Sequence, residues 1–166
     1  MLSFVVPGTY VMDVVFQYEI PYLHPLVVHF PLALILVGAL TVFLWLIRGT
    51  VFWQRCALFL YSLGMAGALL AYFTGEAMEE AVEGAAIVEE LVELHEQMAL
   101  YTLLFTGLTL AGLVGMAVWA HYRPIARPQG DPILLRVLLG LLALLSAVLV
   151  AWTAHIGGTM VWGVAR

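Results

Sequence analysis

The stretch PLVVHFPLALILVGALTVFLWLI, Pro25 to Ile47, contains no acidic side chain, no lysine and no arginine. A helix rises 1.5 Å per residue, so about 20 such residues cross the roughly 30 Å hydrocarbon layer of a bilayer. Working outward, three further apolar runs of spanning length follow at about Phe52–Phe73, Met98–Ala120 and Ile133–Gly157. Pro124, Pro128, Gly130 and Pro132 mark the loop before the last of them. The whole chain agrees with these runs. It is 64% hydrophobic and 10% charged, against about 45–50% apolar and about 25% charged for a soluble domain, which excludes a water-soluble globule.

Charge placement predicts the topology. Arg48 and Arg55 flank the first loop, and Arg123, Arg127 and Arg136 flank the third. Basic residues near short loops stay cytoplasmic, so both termini and the second loop are expected outside. Ten of the eleven acids then lie outside: Asp13, Glu19, Glu76, Glu79, Glu80, Glu83, Glu89, Glu90, Glu93 and Glu96. The expected fold is all-α, an integral membrane four-helix bundle, up-down-up-down and multi-pass, with both termini on the outer side. Residues 1–23, which lack the basic start of a cleaved signal, are expected to form an outer interfacial segment. Residues 24–166 form one domain with spans about 25–47, 52–73, 98–120 and 133–157 and an acidic outer loop 74–97. Val88, Leu91, His95, Met98 and Thr102 recur at helical spacing, so the third helix is expected to begin above the membrane with His95 pointing inward. No internal repeat is evident in the sequence.

Other counts exclude function classes. The single cysteine, Cys56, excludes a disulfide framework, covalent CxxCH haem attachment and paired-cysteine zinc sites. A net charge of -5 argues against nucleic acid and against a polybasic lipid patch. Apart from their ends and loops the spans carry no acid or base, which disfavours a transport path, and no nucleophile stands near a base at a recognisable spacing, which disfavours an enzyme.

The histidines carry the remaining chemistry, because neutral imidazole binds haem iron or a transition metal. His24 and His29 stand at the outer start of the first span, His95 before the third and His155 at the end of the fourth; only His121 is cytoplasmic. Small residues lead to these positions: Ala143, Ala147 and Ala151 to His155, and Gly64, Ala68, Ala71 and Gly75 to Glu76. Such stripes leave room for a flat macrocycle, or simply for another helix. Pro31 cannot donate to the Val27 carbonyl, so a kink is expected beside His29. His24 and His29 lie about 140° apart around an ideal helix and should not share a metal without it.

The stretches LHPLVVHFPLAL (Leu23–Leu34), Thr74–Gly75, His95 and AHIGGTMVW (Ala154–Trp162) resemble the bacterial integral-membrane family designated domain of unknown function 2231, across nearly everything after residue 22. The resemblance implies a four-helix membrane unit sometimes found beside respiratory or cytochrome-type components, and His29, His95, Gly157 and Gly158 match the family's recurring residues. Where the family often ends in a further His-Gly pair, this chain has Trp162, Gly163 and Val164.

The leading expectation is an electron-transfer subunit holding haem b through His29 and His95 as axial ligands, with His155 and His24 as further cofactor-binding residues. A variant is a zinc, copper or iron site built from His29, His95, His155, Glu76 and Glu96. Partners would be the lipid bilayer and a quinol, a basic c-type cytochrome or other respiratory subunits. The alternative is a cofactor-free structural or assembly subunit in which histidines tie helix ends together.

Overall fold

A computed structural model describes residues 20–82, 86–122 and 133–163, and among them all regular structure is α-helical. The helices are α1 (Ile20–Val27), α2 (His29–Arg48), α3 (Val51–Val82), α4 (Ala86–Tyr122) and α5 (Ile133–Trp162). Four stretches are long and apolar enough to cross a membrane: Leu23–Arg48, Val51–Met78, Glu90–Tyr122 and Ile133–Met160. Each contains one expected span. Residues 1–19 of the expected interfacial segment, Glu83, and Arg123 and Arg127 with their loop lie outside the described residues.

One expected feature and one departure from expectation have clear causes. The first span is split at Val28 into α1 and α2. Pro31, lacking an N–H, cannot bond the Val27 carbonyl, and the helix is interrupted one residue later. The stretch 74–97, expected as a loop, is helical on both sides of residues 83–85. Glu76, Glu79 and Glu80 lie within α3 and Glu89, Glu90, Glu93 and Glu96 within α4, in keeping with glutamate being a good helix former.

The turn between α2 and α3 has only two residues. Gly49 adopts φ 65°, and its N–H donates to the Trp45 carbonyl at 2.7 Å, closing α2 with a left-handed cap that glycine takes without a Cβ clash. From this turn α2 and α3 run side by side, rising numbers on one meeting falling numbers on the other. Gly38 faces Tyr61, Gly64 faces Ile35 and Gly67 faces Pro31. The second pair repeats the arrangement, with Thr109 bonded to Ser146 and Thr102 to Thr153, each at 3.1 Å. α2 also packs on α5, and α3 on α4, which closes the bundle.

The core is a column of Ile35, Val42, Trp45, Tyr61, Leu113, Met116, Leu139 and Val150. Outside it, Phe30, Leu40, Phe59, Leu104, Leu141 and Val148 are among many large apolar side chains left exposed. An apolar surface this extensive is a lipid-facing one. At one end Arg136 crosses from α5 to α2, donating to the Leu46 carbonyl at 2.7 Å and lying over the Trp45 ring at 5.5 Å. It satisfies the Leu46 carbonyl at the end of α2, which the helix itself leaves open.

A Cβ on Gly64 would stand 3.0 Å from Ile35 Cγ1, whereas one on Gly115 would meet nothing within 4 Å. Gly64→Val is therefore expected to cost about 1–3 kcal/mol by overpacking. Gly115→Ala should be neutral or stabilising by up to about 1 kcal/mol through helix propensity. Thermal unfolding of both variants in mild detergent checks the contrast.

Candidate functional site

The end of the bundle opposite Arg136 brings two histidines together. His24 of α1 and His95 of α4 have ring centres 6.3 Å apart with planes at 83°. Both are half-buried. Each ring lies on a glycine of the helix that pairs with its own. A Cβ on Gly75 of α3 would come within 3.1 Å of His24 Cε1, and a Cβ on Gly157 of α5 within 3.1 Å of His95 Cε1. Any side chain at either position would displace the ring.

Hydrogen bonding favours one tautomer of His24. The Thr74 hydroxyl stands 3.0 Å from the Leu70 carbonyl and 3.1 Å from that of Ala71, where it spends its one proton. Its oxygen must then accept from His24 Nδ1–H, 3.1 Å away. The lone pair of His24 consequently lies on Nε2, the tautomer used when a histidine binds iron or a metal through that atom. His95 Nδ1 is buried without a hydrogen-bond partner.

The remaining expected site residues lie elsewhere. His29 is exposed, and its Nδ1–H donates to the Pro25 carbonyl at 2.6 Å. The structure thus places His24, rather than His29, beside His95. The chain is already helical from Ile20, and two residues about 140° apart cannot both face the bundle. His155 is exposed beside Trp152, ring centres 5.7 Å apart. Glu76 is exposed, and Glu96 accepts from the Tyr72 hydroxyl at 3.5 Å. Among the described residues no three His, Cys, Asp or Glu side chains form a group able to hold a metal ion, so His29, His95, His155, Glu76 and Glu96 are not assembled as one ligand set. His121, at the arginine end, is exposed against Tyr122.

Sequence reasoning missed Thr74 as a partner of His24, and it missed Gly75 and Gly157 as seats for the rings. The available signal was that Gly75 stands in the small-residue stripe of the second span and Gly157 in the AHIGGTMVW stretch, both places for close approach. In comparisons with known proteins, a family model described as "Predicted membrane protein (DUF2231)" matches residues 20–165. No curated protein and no solved structure matches the chain.

Thr74→Val keeps the shape and removes the acceptor. The expected loss is about 0.6–1.5 kcal/mol of stability, the range for an interhelical hydrogen bond. The ¹⁵N imidazole signals of His24 should move from one tautomer to a mixture, while those of His29 stay put. Nuclear magnetic resonance on histidine-labelled protein in detergent reads both.

Proposed function

The chain belongs to the DUF2231 family of membrane proteins, and from that premise we propose that it is a small electron-transfer subunit binding one haem b between His24 and His95. One observation carries the reading, the separation of the two rings. Imidazole nitrogens each about 2 Å from a shared metal are about 4 Å apart, and with ring centres roughly 1 Å farther out the centres stand about 6 Å apart. The ring centres of His24 and His95 are 6.3 Å apart.

The donor set favours haem over a bare ion. Haem brings four nitrogens of its own and asks the protein for two axial ligands. A zinc-type site needs three or four protein ligands, and no such group occurs among the described residues. Haem supplies reversible one-electron chemistry when bound. The chain's own residues hold and tune: Thr74 fixes the His24 tautomer, and Gly75 and Gly157 seat the two rings.

In this reading the bundle is up-down-up-down and multi-pass in the inner membrane. Arg48, Arg55 and Arg136 mark the cytoplasmic end by the positive-inside rule, and the histidine end and both termini are periplasmic. The arginine end has His121 alone, so no second axial pair carries electrons across. A quinol, a basic c-type cytochrome or another respiratory subunit then completes the circuit. Glu76, Glu90 and Glu93, exposed near the histidine end, would steer a basic partner. The cofactor-free reading draws on the His24–Thr74 bond, which ties α1 to α3 without any ligand.

Visible spectra separate the two. Protein from haem-supplemented cells is expected to show a Soret band that disappears in His24→Ala and in His95→Ala but persists in His29→Ala and His155→Ala. With ring planes near 83°, the ferric form should give one large-g low-spin resonance in place of a three-line rhombic spectrum. A colourless, metal-free preparation retires the cofactor in favour of the structural subunit.

A further inference from the structure

We infer that the chain is a duplicated helical hairpin, and that His24 and His95 are two copies of one ligand element facing each other across an internal two-fold axis. The part concerning the ligand rests on the haem reading above; the part concerning the axis does not.

Burial carries the argument. In α2 the buried positions include Pro31, Ile35, Gly38, Val42 and Trp45, and in α4 they are Thr102, Thr106, Thr109, Leu113 and Met116. Each member of the second set follows its counterpart by one constant shift in residue number. In α3 the positions Ala57, Tyr61, Gly64, Ala68 and Thr74 are buried, and in α5 Leu139, Ala143, Ser146, Val150 and Ile156, again at one constant shift. The second shift is the larger because the connection after α4 is longer than the Gly49–Thr50 turn. Ala39 and Thr41 in α2, and Gly140 in α5, are buried without a buried counterpart. Gln54, buried, corresponds to the half-buried Arg136.

The site obeys both shifts at once. The first takes His24 to His95, and the second takes Gly75 to Gly157. The local geometry is copied with them: Cε1, Nδ1 and Nε2 of His24 lie 3.1, 3.5 and 3.8 Å from a Cβ on Gly75, and those of His95 lie 3.1, 3.6 and 4.0 Å from one on Gly157. Helix neighbours agree as well. Exchanging the hairpins turns the α2–α5 contact into the α4–α3 contact, and both are present. Two hairpins of the same sense related in this way are parallel repeats about an axis along the membrane normal, a plan known in other membrane proteins.

The axis explains why only one of the two histidines has a side-chain acceptor. The counterpart of Thr74 is Ile156, which has no hydroxyl, so His24 Nδ1 has a side-chain acceptor and His95 Nδ1 has none. The two ligands are copies in position and unequal in their support, and a haem iron held by both would lie on the axis with one more basic imidazole. Thr74 and Ile156 are therefore positioning residues.

Spin-label distances test the axis without any ligand. Leu40, Phe59, Ala111 and Leu141 are exposed, and the two shifts carry Leu40 to Ala111 and Phe59 to Leu141. In a Cys56→Ser background, the labelled pair Leu40→Cys/Leu141→Cys and the pair Ala111→Cys/Phe59→Cys are expected to give coinciding distance distributions. Distributions that differ by more than the label's own spread, or pairs 40/59 and 111/141 that disagree, overturn the duplication. Ile156→Thr tests the equivalence of the histidines: the His95 Nδ1 signal should acquire the hydrogen-bonded position of His24 Nδ1, and an unchanged His95 signal in the folded variant overturns it. If the label distances agree while the protein stays colourless, the haem reading fails and the duplication stands. If the haem binds while the distances disagree, the reverse holds.

Discussion

Helices in hydrocarbon are not driven together by the hydrophobic effect, because lipid tails are as apolar as leucine; they associate where their backbones approach closely and pack. Everything here depends on that approach being made through missing side chains. Gly38 receives Tyr61, Gly64 receives Ile35 and Gly67 receives Pro31, each with a neighbour within about 3 Å of where a Cβ would stand. Towards the end of the bundle the same device receives imidazoles. The seats of His24 and His95 are therefore the last steps of the packing that holds the hairpins, and the polar groups at the site inherit the precision of an apolar fit.

The two ends of the bundle solve opposite problems. At one, Arg136 brings a full charge to carbonyls of Trp45 and Leu46, where helix α2 exposes the negative end of its dipole. At the other, imidazoles rather than fixed charges occupy the interior, and carboxylates such as Glu76, Glu90 and Glu93 stay exposed. Between them the buried polar groups are few: Thr41 donates to a carbonyl of its own helix, and Thr102, Thr109 and Ser146 each lie within reach of such a carbonyl and of a hydroxyl on the facing helix. The chemistry of the molecule is concentrated at the histidine end because the middle has been made inert.

The spans were legible because hydropathy over 20 residues is a large, additive signal. The one-sidedness of the charges was legible too, and so was the fault in the first span, since Pro31 removes a specific backbone donor. The histidine pairing was not. His24 lay before the expected start of the span, whereas the helix begins at Ile20 and holds His24 against α3. Thr74 read as one more small polar residue in a stripe. The repeat was hidden for a different reason: equivalent core positions share burial and not residue type, Pro31 answering to Thr102 and Tyr61 to Ala143, and the matching letters at His24/His95 and Gly75/Gly157 are too few to stand out.

The two-residue turn at Gly49 also bears on how the protein is made. Contacts between α2 and α3 are local in sequence, and local contacts form fast. Gly38 can meet Tyr61, and His24 can meet Gly75, before α4 has left the ribosome. The first hairpin is thus a finished piece waiting in the bilayer, and biogenesis ends in a lateral docking of two such pieces rather than in the threading of four separate helices.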